Sequence, residues 1–469
     1  EVREPEARAA EACGTPAHES AERGLDPAAC RRVEATRRAI ERYGSDPRYT
    51  IWNAVVEGGG VLAHVDILQP RPDGTWYAAL VRSGTGLRGG YVDEMRLVRF
   101  CLESAGLPVS EYYVYYLDKN YRSAPGSSVD PDPAELFVQS RVTKKIRKGR
   151  ENTGERVRRL RELLSRDASV LDEPSEGCTR GQRCRICARF EPELPHHHIF
   201  TLHRGGHLSR ELYDQGIASI HDIPEQMALS DKQEVQRNAV LADAAQVDHA
   251  SLESFLERIT YPVSFLDFEA FQRGVPTLPA VAAWQHIPFQ YSLHVLEGEA
   301  GKPEHYGFIA DSEGDPRVAL TRRLLDDLPE AGSILVFGAE FERSIIAELA
   351  HAFPEEAERL EGVRERIQDL ATPFHQFLYY HPEQRGKTSL KRVLPVLTEH
   401  TYEGLPINDG MEASLAYYFM RHDKLLHFFG EDWRTVRERL DRYCGLDTYA
   451  LVAILARLRE LVNGDAGAG

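Results

Sequence analysis

Two acidic residues, Asp267 and Glu269, interrupt an otherwise apolar segment at 263–269. An apolar run of this length is typical of a buried β-strand. Because successive strand side chains point to opposite faces, a spacing of two residues places both carboxylates on one face. Two charges among apolar neighbours are costly unless something compensates them. The segment therefore predicts a strand whose acids hold a metal ion.

Two later acids are expected at the same place. An apolar run at 334–337, followed by a glycine, predicts a strand and a turn that put Glu342 in the first turn of a helix. In the last long helix, from about 432 to 461, Asp447 lies within the apolar stripe and Tyr443 precedes it by one turn. Glu342 could instead complement a helix N-terminus, and Tyr443 could be a core aromatic. The order of these residues along the chain favours a shared site.

This order of Asp-x-Glu, Phe-Glu and Tyr-x-x-x-Asp, spread over about 261–461, resembles the Asp-Glu-Asp-Asp (DEDDy) exonucleases of the tyrosine subtype in the RNase H-like superfamily. The resemblance implies an RNase H-like mixed sheet flanked by helices, with Tyr443 positioning the attacking water. It assigns two metal ions to four acids: Asp267, Glu269, Glu342 and Asp447. Such hydrolysis uses ions roughly 3.5–4 Å apart, and oxygen ligands suit Mg²⁺ or Mn²⁺. The glutamate at 342 is a departure, because the family's second motif normally ends in aspartate.

Two nearby segments carry further candidates. Residues 366–370 could form a short strand with Asp369, a substitute ligand if Glu342 is wrongly placed. Residues 386–392 could open a helix whose basic end binds phosphate through Lys387 and Lys391. The alternative is an ordinary serine N-cap followed by a solvated basic face.

The N-terminal part predicts a second sheet. Strands are expected at 51–56, 61–68, 76–81 and 112–117, with a helix at about 93–105 before the last of them. This arrangement, with Asp66 on the second strand, resembles a RecB-type PD-(D/E)xK nuclease. The family places Glu-x-Lys where this chain has Leu-Val-Arg, ending at Arg82. Arginine stays protonated and does not replace the lysine, so the resemblance implies an inactive domain.

A basic run between 141 and 161 is the main candidate for contact with DNA or RNA. The net charge of −16 does not exclude such a partner, because binding depends on local patches. The candidate nucleic-acid-binding residues are Lys144, Lys145, Arg147 and Lys148. The alternative is the solvated face of a helix.

Three of the seven cysteines are clustered as Cys178, Cys184 and Cys187, shortly before three consecutive histidines. With a histidine they could hold zinc, and with a distant cysteine they could hold an iron–sulfur cluster. A metal-free loop is the third possibility. Cys444 lies in an apolar helical context and is interpreted as a core residue.

A chain of 469 residues exceeds what one hydrophobic core usually serves. We expect a multidomain α/β protein with a cytoplasmic location, and no apolar run is long enough to cross a membrane.

The whole pattern resembles a bacterial family of uncharacterised function that joins a RecB-like segment and a cysteine cluster to an RNase H-like domain. The expected divisions are a helical segment at 1–45, the RecB-like domain at 46–170, a cysteine-containing helical linker at 171–250 and the exonuclease domain at 251–469.

The function expected from these features is metal-dependent 3′–5′ exonuclease activity on DNA or RNA. One alternative is a catalytically decayed protein that binds nucleic acid or assembles complexes. Another is a phosphodiesterase that acts on a small nucleotide. Protein partners are not indicated by the sequence.

Overall fold

The structure is a computed structural model that describes residues 27–123, 131–148, 152–165, 194–310, 314–407, 409–421 and 432–465. The chain divides into two compact units. The first comprises Glu1–Asp167 and Arg273–Gln285, and the second comprises Ala168–Gln272 and His286–Gly469. Within the described ranges, no helix combines the length and the apolar character needed to span a bilayer.

The first unit contains five strands and five described helices. The strands are β1 (Ile51–Gly58), β2 (Val61–Pro70), β3 (Trp76–Arg82), β4 (Val109–Leu117) and β5 (Phe137–Arg141). The helices are α1 (Pro27–Tyr43), α2 (Gly89–Ser104), α3 (Pro133–Leu136), α4 (Thr143–Arg147) and α5 (Thr153–Leu164). The four predicted strands and the predicted helix are confirmed, whereas β5 was not among the predictions.

The sheet of the first unit has the order β1-β2-β3-β4-β5. Only the β3–β4 pair is parallel among these neighbours, and α2 makes the crossover between the two strands. The helix packs on the sheet through its buried side chains Met95 and Leu102, which meet Val65, Leu80 and Val114 of the strands. This side of the sheet forms the core of the unit.

The second unit contains the remaining described elements. Its strands are β6 (Gln246–Val247), β7 (Val263–Phe271), β8 (Ile287–Leu296), β9 (Glu304–Ile309), β10 (Ile334–Val336), β11 (Ile367–Asp369) and β12 (Tyr379–Tyr380). Its α-helices are α6 (Gly206–Asp214), α7 (Asp231–Ala242), α8 (His249–Leu256), α9 (Pro316–Asp327), α10 (Ala339–Ala352), α11 (Ala357–Arg366), α12 (Thr372–His375), α13 (Leu390–Leu397), α14 (Gly410–Arg421) and α15 (Trp433–Asp465). Short 3₁₀ helices occupy Ile199–Thr201, Ile220–Asp222, Pro354–Glu356 and Pro382–Gln384.

The main sheet of the second unit has the order β11-β10-β7-β8-β9. Strands β7, β10 and β11 are parallel to one another, while β7–β8 and β8–β9 are antiparallel pairs. On one face, Leu266 and Phe268 of β7 pack with apolar side chains of α9, α10 and α11. Helix α15 packs against β7 and β8. The predicted α/β class is confirmed for both units.

Candidate functional site

The two acids of β7 lie on the face of the sheet that meets α15. In the β7–β8 ladder, Asp267 is opposite Ser292 and Glu269 is opposite Gln290. Residues directly opposite in an antiparallel pair project from the same face. Gln290 Nε2 donates a hydrogen bond to the carbonyl of Leu440 in α15 at 2.9 Å, so this strand also anchors the helix. Glu269 is buried at 6% exposure, and Asp267 retains more exposure.

Helix α15 brings a thiol and a third carboxylate to these acids. Cys444 Sγ lies 3.4 Å from Asp267 Oδ2. One ligand atom each of Asp267, Glu269 and Cys444 lies within 4.8 Å of the other two. Asp447 is buried at 7% exposure, and its charge raises the pKa of both strand acids. The carboxylates of Asp267 and Glu269 on β7 and of Asp447 on α15 therefore lie close enough for their charges to interact.

Two phenols lie beside the carboxylate of Asp447. Tyr402 donates a hydrogen bond to Asp447 Oδ1 at 2.5 Å, and the Tyr443 hydroxyl lowers the pKa of the same carboxyl. The ring centroids of the two tyrosines are 6.4 Å apart. Burial raises the pKa of both phenols, and the charge of Asp447 raises it further. Both hydroxyls therefore stay protonated and act as donors.

Lys391 of α13 lies beside the tyrosines. Its ammonium nitrogen is 5.5 Å from the ring centroid of Tyr402 and 5.7 Å from that of Tyr443. Its charge lowers the pKa of Glu269 and of Asp447, opposing the larger effect of burial on each. The side chain is exposed. The structure thus places this predicted phosphate-binding lysine at the acidic cluster.

Glu342 occupies the first turn of α10, as predicted, and is buried at 3% exposure. Gly338 begins this helix with φ at 98°, a value that favours glycine, and turns the chain from β10 into α10. Glu342 Oε2 has no hydrogen-bond partner among the described residues. Its charge raises the pKa of Asp267. Buried carboxylate oxygens in native structures usually have a partner, so Glu342 Oε2 is an exception.

Burial dominates the electrostatics of this cluster. It raises the pKa of Glu342 to about 8, with Asp369 adding to the effect. Burial, followed by the charge of Asp447, raises the pKa of Glu269 to about 8. The pKa of Asp447 rises less, to about 6, because the tyrosines and Lys391 favour its ionised form. The pKa of Asp267 is raised by burial and then by its three acidic neighbours. Without cations, these groups compete for protons rather than ionise together.

The residues at the start of α14 approach the same cluster. A side-chain carbon added at Gly410 would lie 3.4 Å from Glu269 Oε2. The charge of Asp409 contributes to raising the pKa of Glu269. Neither residue was predicted, because this connection carries no periodic pattern. We define the acidic centre as Asp267, Glu269, Glu342 and Asp447, together with Tyr402, Tyr443, Cys444 and Lys391.

Sequence reasoning missed two members of the acidic centre. Tyr402 lies in an irregular segment between α13 and α14, where no helical or strand spacing links it to Asp447. Cys444 was interpreted as a core residue; it is fully buried, but it also contacts Asp267. The signal for Cys444 was available, because residues three apart share a helix face and Cys444 is three residues before Asp447.

Asp369 has a different set of partners. Its Oδ1 accepts hydrogen bonds from the backbone N–H groups of Gly338 and Ala371, both at 2.9 Å. These contacts fix the turn between β10 and α10 on which Glu342 depends. The structure therefore gives Asp369 a structural contact near the acidic centre rather than a place within it.

The other predicted basic residues lie elsewhere. The side chains of α4 and its C-cap that were predicted to bind nucleic acid are all exposed in the first unit: Lys144, Lys145, Arg147 and Lys148. Lys387 is exposed just before α13, whose N-cap is Ser389. Cys178, Cys184 and Cys187 lie outside the described residues.

Asp66 of the first unit is engaged by the arginine that replaces the expected lysine. Asp66 Oδ2 accepts hydrogen bonds from Arg82 Nη1 and from the backbone N–H of Val81, both at 2.8 Å. Arg82 also donates to Glu94 of α2, at 2.9 and 2.5 Å. Arg82 therefore bridges the carboxylates of Asp66 and Glu94.

One family model matches part of the chain. It carries the description "Domain of unknown function (DUF2779)" and covers residues 264–389. The match includes three acids of the acidic centre, Asp267, Glu269 and Glu342, and ends before Lys391 and the tyrosines. Its description names neither a RecB-like nor an RNase H-like family. No curated protein matches the chain, and no solved structure matches it.

Proposed function

We propose that the second unit is a metal-dependent nuclease that hydrolyses DNA or RNA from the 3′ end. The observation that carries this proposal is the convergence of four carboxylates, those of Asp267, Glu269, Glu342 and Asp447. The last three of these residues are less than 10% exposed. Such a group is stable in its ionised form when divalent cations are bound to it. No family name supplies this assignment, so it rests on the site.

The donors of the acidic centre fit a hard divalent ion. Carboxylate oxygens suit Mg²⁺ and Mn²⁺, and the unpartnered Glu342 Oε2 is an available ligand atom. We propose that Asp267, Glu269, Glu342 and Asp447 would hold two such ions. When bound, the ions would activate water and stabilise the leaving oxygen of a phosphodiester.

The remaining side chains of the acidic centre have assignable roles. Tyr443 would orient the attacking water, as in the DEDDy exonucleases that this order of residues resembles. Tyr402 would keep Asp447 ionised and fixed in position through its hydrogen bond. The ammonium of Lys391, exposed beside the acids, would contact a phosphate oxygen of the bound strand.

The architecture of the second unit supports an RNase H-like assignment. A mixed sheet flanked by helices carries the first two acids on a central strand, β7. The next acid follows a neighbouring parallel strand, and the last lies on the C-terminal helix. Each of these positions agrees with what the DEDDy resemblance implies.

We propose that the first unit is a RecB-like domain that no longer cuts. The support is the pairing of Asp66 with Arg82, which occupies the carboxylate with a permanent cation. The exposed basic residues of α4 would give this domain a nucleic-acid-binding surface. Binding without cleavage is therefore its proposed contribution.

The test is hydrolysis of a single-stranded oligonucleotide labelled at its 5′ end, with Mg²⁺ or Mn²⁺ titrated in. We expect shortening from the 3′ end in the wild type and background rates in Asp267→Asn and Asp447→Asn. Glu355→Gln, which changes an exposed acid of the same unit, is the control and should retain activity. Equal hydrolysis by the wild type and both aspartate variants would reject the site.

Two further outcomes of this assay favour the alternatives. Binding that survives a chelator, without turnover under any metal, would favour a decayed nucleic-acid-binding protein. Hydrolysis of short nucleotides but not of strands would favour a small-nucleotide phosphodiesterase.

A further inference from the structure

A second cluster of metal-binding side chains lies in the second unit and shares no residue with the acidic centre. His196 Nε2 lies 2.9 Å from each carboxylate oxygen of Glu383, and His197 Nε2 lies 3.7 Å from Glu383 Oε1. One ligand atom from each of the three residues lies within 4.8 Å of the other two. We propose that His196, His197 and Glu383 form a site for a zinc-class divalent ion.

The separations between donor atoms are those of a small coordination sphere. Zinc binds histidine nitrogen at about 2.0–2.1 Å in a tetrahedral arrangement, which puts neighbouring ligand atoms about 3.3 Å apart. The observed 2.9 and 3.7 Å lie on either side of this value. Small side-chain rotations would therefore admit an ion without backbone movement. Two imidazoles with one carboxylate is also a donor set that zinc uses, with a further position left for water or another ligand.

Backbone contacts hold the two sides of this cluster. The carbonyl of His197 accepts a hydrogen bond from the N–H of Ile220 at 2.9 Å, and His198 forms a bridge with Ser219. On the other side, Glu383 lies in the 3₁₀ helix Pro382–Gln384, and its N–H donates to His381 Nδ1 at 3.2 Å. Hydrogen bonds therefore hold in place both segments that carry the proposed ligands.

A simple ion pair explains this arrangement less well. The His196 side chain is 60% exposed and that of Glu383 is 45% exposed, and exposed pairs of this kind contribute little stability. The His197 side chain is more buried, at 11% exposure, and its Nδ1 has no hydrogen-bond partner among the described residues.

Zinc bound here would join the segment at 196–197 to the distant segment around 383. A ligand that binds the folded state alone stabilises it by mass action. We therefore expect zinc to raise the melting temperature of the full chain through these three residues. The effect does not depend on nuclease activity.

The experiment measures zinc bound per chain by equilibrium dialysis of the full-length protein. We expect the His196→Ala/His197→Ala variant to bind one equivalent less than the wild type, and Glu383→Gln to bind at least tenfold more weakly at this site. His207→Ala, which changes an exposed histidine of the same unit, should bind as the wild type does. Equal zinc stoichiometry and affinity in the wild type and the double variant would overturn the proposal.

Cobalt separates this site from the cysteine cluster at 178–187. Ligation by histidine and carboxylate gives visible ligand-field absorption without the near-ultraviolet charge-transfer band that thiolates produce. The double variant should lose ligand-field absorption and leave any charge-transfer band unchanged. If that variant fails to fold, Glu383→Gln carries the test, because it preserves shape. A Glu383→Gln spectrum and zinc-induced melting shift identical to those of the wild type would also overturn the proposal.

Discussion

Asp447 illustrates how neighbouring side chains determine the charge state of a buried acid. Burial favours its protonated form, while Tyr402, Lys391 and Tyr443 favour its ionised form. The result is a pKa of about 6, lower than the value of about 8 for Glu269. The hydrogen bond from Tyr402 and the charge of Lys391 therefore favour ionisation of Asp447 against the effect of burial.

Removing the Tyr402 hydroxyl tests this balance. Tyr402→Phe deletes a hydrogen bond to a charged carboxylate, a contact typically worth about 1.5–3 kcal/mol. We expect turnover to fall about tenfold or more, because about 1.4 kcal/mol corresponds to a factor of ten. The rate should be measured at saturating Mn²⁺. Tyr449→Phe, at a phenol of α15 that is 39% exposed, is the control. Unchanged turnover in Tyr402→Phe would show that the Tyr402 hydroxyl has no role in the reaction.

Glu342 makes a prediction about stability and pH. Its folded pKa of about 8 exceeds the ordinary value of 4.5, so between these values the folded protein binds more protons than the unfolded protein. Stability therefore falls as the pH rises through this range, and it levels off above the folded pKa. In the presence of a chelator, urea denaturation should show a lower free energy of unfolding at pH 8 than at pH 6.

The Glu342→Gln variant should show a weaker dependence of stability on pH, because one titrating carboxyl is gone. Glu355→Gln should behave as the wild type does. Added Mn²⁺ should restore stability at pH 8, where the carboxylates are ionised and able to bind it. A free energy of unfolding that rises from pH 6 to pH 8 in the chelated wild type would contradict the burial of these acids.

At the scale of elements, the turn between β10 and α10 controls where Glu342 lies. Gly338 has a φ of 98°, and its backbone N–H donates a hydrogen bond to Asp369 Oδ1. We expect Gly338→Ala to destabilise the protein by about 1–3 kcal/mol, because a side chain is strained at this φ. The measurement is the urea midpoint. Gly362→Ala is the matched control: Gly362 is exposed within α11, with open space around it, and alanine there should be neutral or stabilising by about 0.5–1 kcal/mol. Equal effects of the two substitutions would contradict this account.

Sequence periodicity predicted some elements better than others. The strand with the paired acids and the long helix with Asp447 were predicted from residues 263–269 and 432–461, and the structure has them at Val263–Phe271 and Trp433–Asp465. Strand β8 was not predicted as a strand. Residues 289–295 alternate apolar and polar side chains, the pattern typical of a strand with one polar face, so the signal for β8 was available in the sequence. The pattern does not predict that all ten residues of β8 are buried, including the polar Gln290, Ser292 and His294. Its polar side chains are buried because they hydrogen-bond with α15, which is a tertiary contact.

At the scale of the whole molecule, one segment escaped sequence reasoning. Residues 273–285 follow β7 in the chain but belong to the first unit. Ala283 packs there with Leu117 and Leu136, and Trp284 Nε1 donates to the carbonyl of Ser83 at 2.5 Å. Nothing in the local composition distinguishes this segment from an ordinary loop. Its packing depends on residues more than 100 positions away, which a local pattern does not encode.

The basic surface of the first unit gives a prediction about binding. Replacing Lys144, Lys145, Arg147 and Lys148 with alanine should weaken oligonucleotide binding and reduce its salt dependence. The reason is that binding releases fewer counterions for each phosphate contact that is lost. For a single strand the slope of log K against log salt should fall by about 0.7 per contact. The Arg31→Ala/Lys119→Ala variant, at exposed basic residues of the same unit, is the control. Affinity and salt slope equal to those of the wild type would exclude this surface from binding.

The central claim is that the buried acids of the second unit bind divalent cations together. The most direct measurement is anomalous diffraction from a crystal soaked in Mn²⁺. Manganese peaks should lie within ligand distance, about 2.0–2.3 Å, of the carboxylates of Asp267, Glu269 and Asp447, with Glu342 reaching an ion through Oε2. A fully soaked crystal that binds manganese elsewhere and none at these carboxylates would contradict the account.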